Sequence, residues 1–331
     1  MPNSESHSAL ERWVRLPDRA EVALLCAPFT FPPIPSIALS LFKHALRDAE
    51  ISSCVLYPMF PLIHLLEPRE LLRLNAISSV QGAWEFLFAP LTDKPCDATP
   101  REFVETLFPE KDDPEKKSLV EYLIHARECT AQIVEATAQR IVRMGARVLA
   151  ASSIYAQQNA SLAILRRVKA LRPNVVTLLG GNNVSGEMGL AVLRRYPSVD
   201  FVSFGEGDEN IADFCRMVLN GQESDLPYGI LGRAQLDAGT IPHRITRDMN
   251  QVGRPDYSDF FGEVRRERAG FYGDAISTDT GDGLLYGNTL FLEGSRGCWW
   301  GEKHACTFCG LNGLVNVYPQ TKISVRKAIR K

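Results

Sequence analysis

The chain has 331 residues, enough for one large or two ordinary domains with real hydrophobic cores. An apolar fraction of 45%, a charged fraction of 23% and a net charge of −2 describe an ordinary globular protein, with no block of like charge to bind nucleic acid or an acidic membrane. The N-terminal MPNSESHSALERW lacks the basic-then-apolar pattern of a secretory signal, and proline or charge interrupts every apolar run before membrane-spanning length, so a cytoplasmic protein is expected.

VALLCA (22–27) predicts the first buried strand, PFTFPPIPS (28–36) a proline-rich turn, and IALSLFKHALRDA (37–49) a helix with Ser36 as its N-cap. ISSCVLYP (51–58) predicts a second strand, completing a β-loop-α-β unit. Residues 60–117 mix short helical patterns with proline and aspartate clusters, and read as an excursion from the main sheet. The spacing of Leu119, Tyr122, Leu123, Ala126, Ile133, Ala136, Ile141 and Val142 predicts one long amphipathic helix over 118–144.

Strands at 147–152, 175–180 and 200–205 then alternate with helices at 160–172, 186–196 and 209–221. Short apolar strands alternating with helices imply a doubly wound α/β fold, a Rossmann-like parallel sheet covered on both faces. Ligands bind such sheets outside the carboxyl ends of the strands, which here means Pro28–Ser36, Ser152–Gln157, Gly180–Ser185 and Gly205–Asp208. Residues 223–287 carry turn signals and alternation that predict a hairpin followed by an extended linker. NTLFLEGS (288–295) predicts a further strand, and KISVRKAIRK (322–331) the start of a helix.

Eight cysteines in a reducing compartment argue against a disulfide framework. Cys26, Cys54, Cys129 and Cys215 lie singly in apolar or helical patterns and read as small buried hydrophobes, while Cys96 sits in a polar loop. The lone histidines His7, His64, His125 and His243 read as surface or internally satisfied groups. No Ser/His/Asp arrangement, phosphate loop or carboxylate pair stands out, so no catalytic side chain is assigned.

The clustered thiols are Cys298, Cys306 and Cys309, in GSRGCWWGEKHACTFCGLNG (294–313). Thiolates select zinc, copper or iron–sulfur clusters. A structural zinc site would need a fourth ligand, for which His304 is available. A 4Fe–4S cluster held by three cysteines instead leaves one iron open to a substrate or cofactor.

A strand ending in Ser-Arg-Gly-Cys, then a loop closing Cys-Thr-Phe-Cys, resembles the cluster loop of radical S-adenosylmethionine enzymes. In that family the open iron binds S-adenosylmethionine, and reductive cleavage yields a 5′-deoxyadenosyl radical. The resemblance implies Cys298, Cys306 and Cys309 as 4Fe–4S ligands, with Phe308 and Gly310 near S-adenosylmethionine. Seven residues separate Cys298 from Cys306 where the family usually has three. That wider gap, with Cys-Trp-Trp-Gly and Cys-Thr-Phe-Cys-Gly-Leu-Asn, resembles a cobalamin-dependent subgroup of C-methyltransferases associated with ribosomally made, post-translationally modified peptides.

The stretch VVTLLGGNNVSGEMGLAVLRRYPSVDFVSFGEGDENIADF is similar to the cobalamin-binding domain that precedes many radical S-adenosylmethionine cores. Its glycines permit close approach of a large ligand to strand-end backbone. The resemblance implies cobalamin contacts from Ser152, Ser153, Tyr155, Gly180, Gly181, Asn182, Asn183, Gly205, Glu206 and Gly207. Glu206 or Asp208 could alternatively cap the following helix. Domains that supply a histidine to cobalt carry Asp-x-His-x-x-Gly in the first β-α loop. That loop here is PFTFPPIPS, and His44 lies further along inside the helix, so cobalt is expected to take no histidine from this chain.

The family core is a partial (β/α) barrel, of which this sequence carries the first strand, the cluster loop and the start of a helix. The expectation is therefore half of such an enzyme, either a fragment or a chain whose remaining barrel is a separate polypeptide. The resemblance implies methylation of a peptide precursor, with electrons from a flavodoxin or ferredoxin. The alternatives are a non-catalytic cobalamin-binding module and a structural zinc protein.

Overall fold

A computed structural model describes residues 4–29, 33–66, 71–72, 74–75, 82–109, 114–222, 226–236, 240–271, 290–298, 300, 303–304 and 321–322. Helix α1 (Ser4–Val14) leads into β1 (Val22–Cys26), whose five residues are all buried. Such an unbroken apolar run is what a strand covered on both faces requires. Helix α2 (Ile37–Asp48) follows, and the Ser36 hydroxyl accepts from the Leu39 amide at 3.3 Å, as the cap expectation required. Strand β2 (Ser53–Leu56) pairs parallel to β1.

The excursion supplies α3 (Met59–Ile63), α4 (Ala83–Phe88) and α5 (Pro100–Leu107), the last opened by a reciprocal Thr99/Glu102 capping box. These short helices pack on α6 (Pro114–Met144), which begins four residues before the predicted start. The excursion is anchored by a carboxylate at a helix N-terminus. Glu85 accepts from the Gln158 and Asn159 amides at 2.8 and 2.7 Å, filling donors that the next helix would leave unpaired. Burial raises the Glu85 pKa, and those two amides oppose the rise.

The regular half of the fold is β3 (Val148–Ser152), α7 (Gln158–Leu171), β4 (Val176–Gly180), α8 (Glu187–Arg195), β5 (Phe201–Ser203) and α9 (Ile211–Leu219). Strand β6 (Ile230–Gly232) pairs antiparallel with β5 and completes a sheet of order β2-β1-β3-β4-β5-β6. All other pairings in it are parallel. Chain direction along the sheet reverses between β1 and β3, the point at which an open α/β sheet forms its crevice. No helix among the described residues is long and apolar enough to cross a membrane.

Three expectations are corrected here. In place of a hairpin and extended linker, the described residues after 222 contribute the edge strand β6 and a docked helix, α10 (Ser258–Arg268). Alternation alone could not show that β6 pairs with β5, a strand about 30 positions earlier. The strand predicted over 288–295 is also displaced. Residues 290–294 carry no strand, and the two-residue β7 (Ser295–Arg296) pairs antiparallel with β8 (Thr321–Lys322). Lys322 is thus strand where helix was predicted, and 323–331 lie outside the described residues.

Helix α10 covers the open edge of β2. Asp259 accepts the Val55 amide at 2.7 Å, and Lys43 lies 2.6 Å from the same carboxylate oxygen. A side chain thereby occupies an edge donor that would otherwise be free to pair with another strand. Phe260 packs edge-on against Tyr57 and Phe60. Deeper in, Arg140 on α6 is 3% exposed, reaches Asp18 and Glu263, and lies 4.5 Å over the Trp13 ring. One buried cation thus ties together α6, α10 and the segment that follows α1.

Removing Arg140 leaves Glu263, itself 3% exposed, without its buried counter-charge and leaning on the more exposed Arg266 at 3.2 Å. Arg140→Ala is expected to cost about 3–5 kcal/mol in urea unfolding, whereas Arg140→Met with Glu263→Leu recovers most of that loss. Asp256 supplies a pH signature. Burial pushes its pKa up, but the Ser258 hydroxyl and amide, with Lys43 and Arg47, outweigh this and hold it below the ordinary value. A lowered folded pKa contributes stability above the unfolded pKa, and that stability is lost as pH falls through the folded value. The acid limb of a stability–pH curve should therefore be shallower for Asp256→Asn than for the native chain.

Candidate functional site

A cavity of about 640 Å³ opens at the carboxyl edge of the sheet, where the segments that follow β1 and β3 part. Its floor is apolar, formed by Ala150, Ala151 and Leu178 from the strands, and one wall is Ile37, Leu41 and Phe42 from α2. The segment after β1 contributes Phe29, Ile34 and Pro35. Polar groups sit at the strand ends: Ser36, Ser152, Asn182 and Ser203. A mostly apolar hollow of this size with a few convergent polar groups is the common form of a cofactor or small-molecule site.

The predicted contacts divide into two groups. Ser152, Tyr155, Gly180, Gly181, Asn182, Gly205, Glu206 and Gly207 all line the cavity. Ser153 and Asn183 do not, because they brace the loop from behind. The buried Ser153 hydroxyl donates to Gln158 Oε1 at 2.6 Å, and Asn183 Nδ2 donates to Ser153 Oγ at 3.0 Å and to the Tyr155 carbonyl at 2.8 Å. That bracing holds Tyr155 at φ +46° with its ring 82% exposed at the mouth. A non-glycine residue in this region is uncommon, and it persists only where its surroundings impose it.

The strand-end glycines answer first to the protein's own backbone. A Cβ on Gly181, at φ +103°, would stand 2.4 Å from the Ser153 carbonyl oxygen. One on Gly205 would meet the Arg244 carbonyl oxygen at 2.1 Å, where a single parallel bridge joins the two residues. Both positions are glycine because another main chain passes there.

Glu206 and Asp208 do not cap the next helix, whose N-cap is Asn210, its side chain donating to the Tyr228 carbonyl rather than capping. They grip Arg296 instead. Its guanidinium donates to Asp208 at 2.5 Å, Glu206 at 3.1 Å, Thr246 Oγ1 at 3.2 Å and Glu293 at 2.7 Å. Burial works against this cation, yet the hydrogen bonds and charges of Glu293 and Asp208 push its pKa above the ordinary arginine value. Glu206 also accepts the Thr246 amide at 2.7 Å. Phe291, Glu293, Ser295, Arg296 and Gly297 consequently form part of the cavity lining. The sequence reading missed these residues. Its one local clue was Glu293 three positions before Arg296, the remaining partners lying 50 to 90 positions away.

Cys298 follows directly and is exposed. Cys306, Cys309, Phe308 and Gly310 lie outside the described residues. Among the described residues no three His, Cys, Asp or Glu side chains converge as a metal site. His304 accompanies Trp300, their rings 5.2 Å apart. The isolated cysteines behave as small hydrophobes, with burial pushing the thiols of Cys26, Cys129 and Cys215 up to about 12. Of the lone histidines, His64 lies 2.8 Å from Glu267, and His125 lies 3.2 Å from the Leu65 carbonyl. No histidine among the described residues lines the cavity, and His44 is packed against Gly253.

Adjacent glycines should respond differently to substitution. Gly181→Ala forces a positive-φ alanine against the Ser153 backbone and is expected to cost more than about 1 kcal/mol. Gly180→Ala places its Cβ 3.5 Å from the Ser203 Cβ, an ordinary contact, so its urea midpoint should stay near native. No protein-family model matches the chain, and no curated protein matches it.

Proposed function

We propose that this chain is the cobalamin-binding portion, with the cluster loop, of a cobalamin-dependent radical S-adenosylmethionine enzyme acting as a peptide C-methyltransferase. One observation carries the reading: Ser295, Arg296 and Gly297, which lead into Cys298 in the segment resembling the family's cluster loop, line the cavity at the switch point of the sheet.

The residues present fit a large, flat, partly apolar cofactor. An apolar strand floor and the α2 wall would receive its hydrophobic part, and Ser152, Asn182 and the Gly180–Gly181 backbone would meet its polar edge. Tyr155 stands at the mouth, where an exposed ring can cover a bound group. Among the described residues the lining holds no histidine, and it offers hydroxyl and amide groups. Bound there, cobalamin would supply a methyl carrier, and a 4Fe–4S cluster on Cys298, Cys306 and Cys309 would supply the electron that cleaves S-adenosylmethionine. The chain's own residues position these groups and exclude water from the cavity floor.

The test is anaerobic reconstitution with iron and sulfide, followed by titration with hydroxocobalamin. The native chain should hold about four irons per chain, one cluster's worth, with the broad visible absorption of an iron–sulfur cluster. It should also shift the hydroxocobalamin spectrum. Cys298→Ala with Cys306→Ala and Cys309→Ala should lose the iron and keep the cobalamin response. Zinc without iron after anaerobic purification would sink the cluster reading, and an unchanged hydroxocobalamin spectrum would sink the cofactor reading.

A further inference from the structure

We propose that Leu290–Cys298 is a strap that closes the cavity, and that Arg296 is the residue that fastens it. Among the described residues, few other groups anchor the segment. Leu290, Phe291 and Leu292 are 50%, 40% and 68% exposed, so apolar burial contributes little. The β7–β8 pairing covers only two residues of the segment. A second tether is the Tyr257 hydroxyl, which donates to the Phe291 carbonyl at 2.6 Å. The dominant attachment is the Arg296 guanidinium, 11% exposed and gripped by Glu206 and Asp208 from the body of the fold and by Glu293 from the strap itself. Charge-assisted hydrogen bonds shielded from water are the strong kind, and several here converge on one side chain.

The same β5–α9 loop that grips Arg296 also lines the cavity through Gly205 to Asp208. A ligand resting on that loop and the strap therefore contacts both partners of the fastening. Closing the strap and filling the cavity must then favour each other by equal amounts. The fastening stands on geometry alone, whereas its coupling to cobalamin rests on the function proposed above. Arg296 acts here as a positioning residue that also fixes where Cys298 emerges.

Amide hydrogen exchange tests it on the native chain, Arg296→Ala, Arg296→Lys and the Glu206→Gln/Asp208→Asn pair, each with and without hydroxocobalamin. In Arg296→Ala, amides of 290–298 should exchange roughly tenfold faster, equivalent to ~1.4 kcal/mol, and those of 152–157 should follow as the cavity opens. Core amides of β1, β3 and β4 should not change. The carboxylate pair should release the strap in the same way although no strap residue is altered. Arg296→Lys, keeping the cation without the planar fork, should fall between, and it replaces the alanine variant if core exchange shows that variant to be unfolded. Hydroxocobalamin should protect 290–298 in the native chain and bind roughly tenfold more weakly to Arg296→Ala. Unchanged exchange of 290–298 in both Arg296→Ala and the carboxylate pair overturns the strap. Equal hydroxocobalamin affinity in native and Arg296→Ala chains overturns the coupling. A native chain that binds no hydroxocobalamin defeats the cofactor reading and the coupling together, and the exchange rates then decide the fastening by themselves.

Discussion

Parallel strands cannot be joined by tight turns, and this constraint shapes the rest of the molecule. Each connection between parallel strands must cross a face of the sheet, so every strand delivers its following loop to the same edge. Proline-rich turn, Ser152–Gln157 loop, Gly-Gly turn and Gly-Glu-Gly-Asp loop all meet there without any attraction among them. Because the order reverses between β1 and β3, helices leave toward opposite faces and a hollow remains between their first turns. Position therefore precedes chemistry. The residues that line the cavity are there because of strand direction, and their side chains then determine what it can hold.

Polar groups do two separate jobs around that hollow. One set is structural: Glu85 on the amides of α7, Ser153 and Asn183 behind the Tyr155 turn, and Gln157 donating to the Ala27 carbonyl at 2.9 Å. These bonds satisfy backbone and side-chain groups that burial would otherwise leave unpaired. A second set, Glu206, Asp208 and Glu293 around Arg296, joins segments that are distant in sequence. It sits at the cavity mouth, where partial burial strengthens the attraction without the full desolvation cost of a deep interior pair. Arg140 shows the deep version of the same device, one cation shared by Asp18 and Glu263 beneath α10.

The strand-end glycines are required by the packing of the protein's own backbone. Gly-Gly after β4 and Gly-x-Gly after β5 suggest room for a ligand's approach. The atoms nearest to an added Cβ at Gly181 and Gly205 are main-chain atoms of Ser153 and Arg244. Gly207 is closed in by the Phe42 ring. These residues let loops stack tightly along the sheet edge, and the stacking in turn shapes the cavity.

Local information carried the element order from β1 to α9, the Ser36 cap, the long helix, the burial of Cys26, Cys129 and Cys215, and the strand ends where the cavity lies. Each of these depends on periodicity, side-chain volume or hydrogen bonds within a few residues, which is the range over which a sequence can be read directly. Tertiary structure alone decided which strands are neighbours, that β6 pairs with β5, that α10 docks on β2, and that Arg296 meets Asp208 and Glu206 across 88 and 90 positions. Those contacts depend on how layers twist and stack, and many different sequence separations yield the same local pattern. The cysteine loop shows the division plainly: its spacing suggests a chemistry, and only the fold puts its first residues on the wall of a cavity.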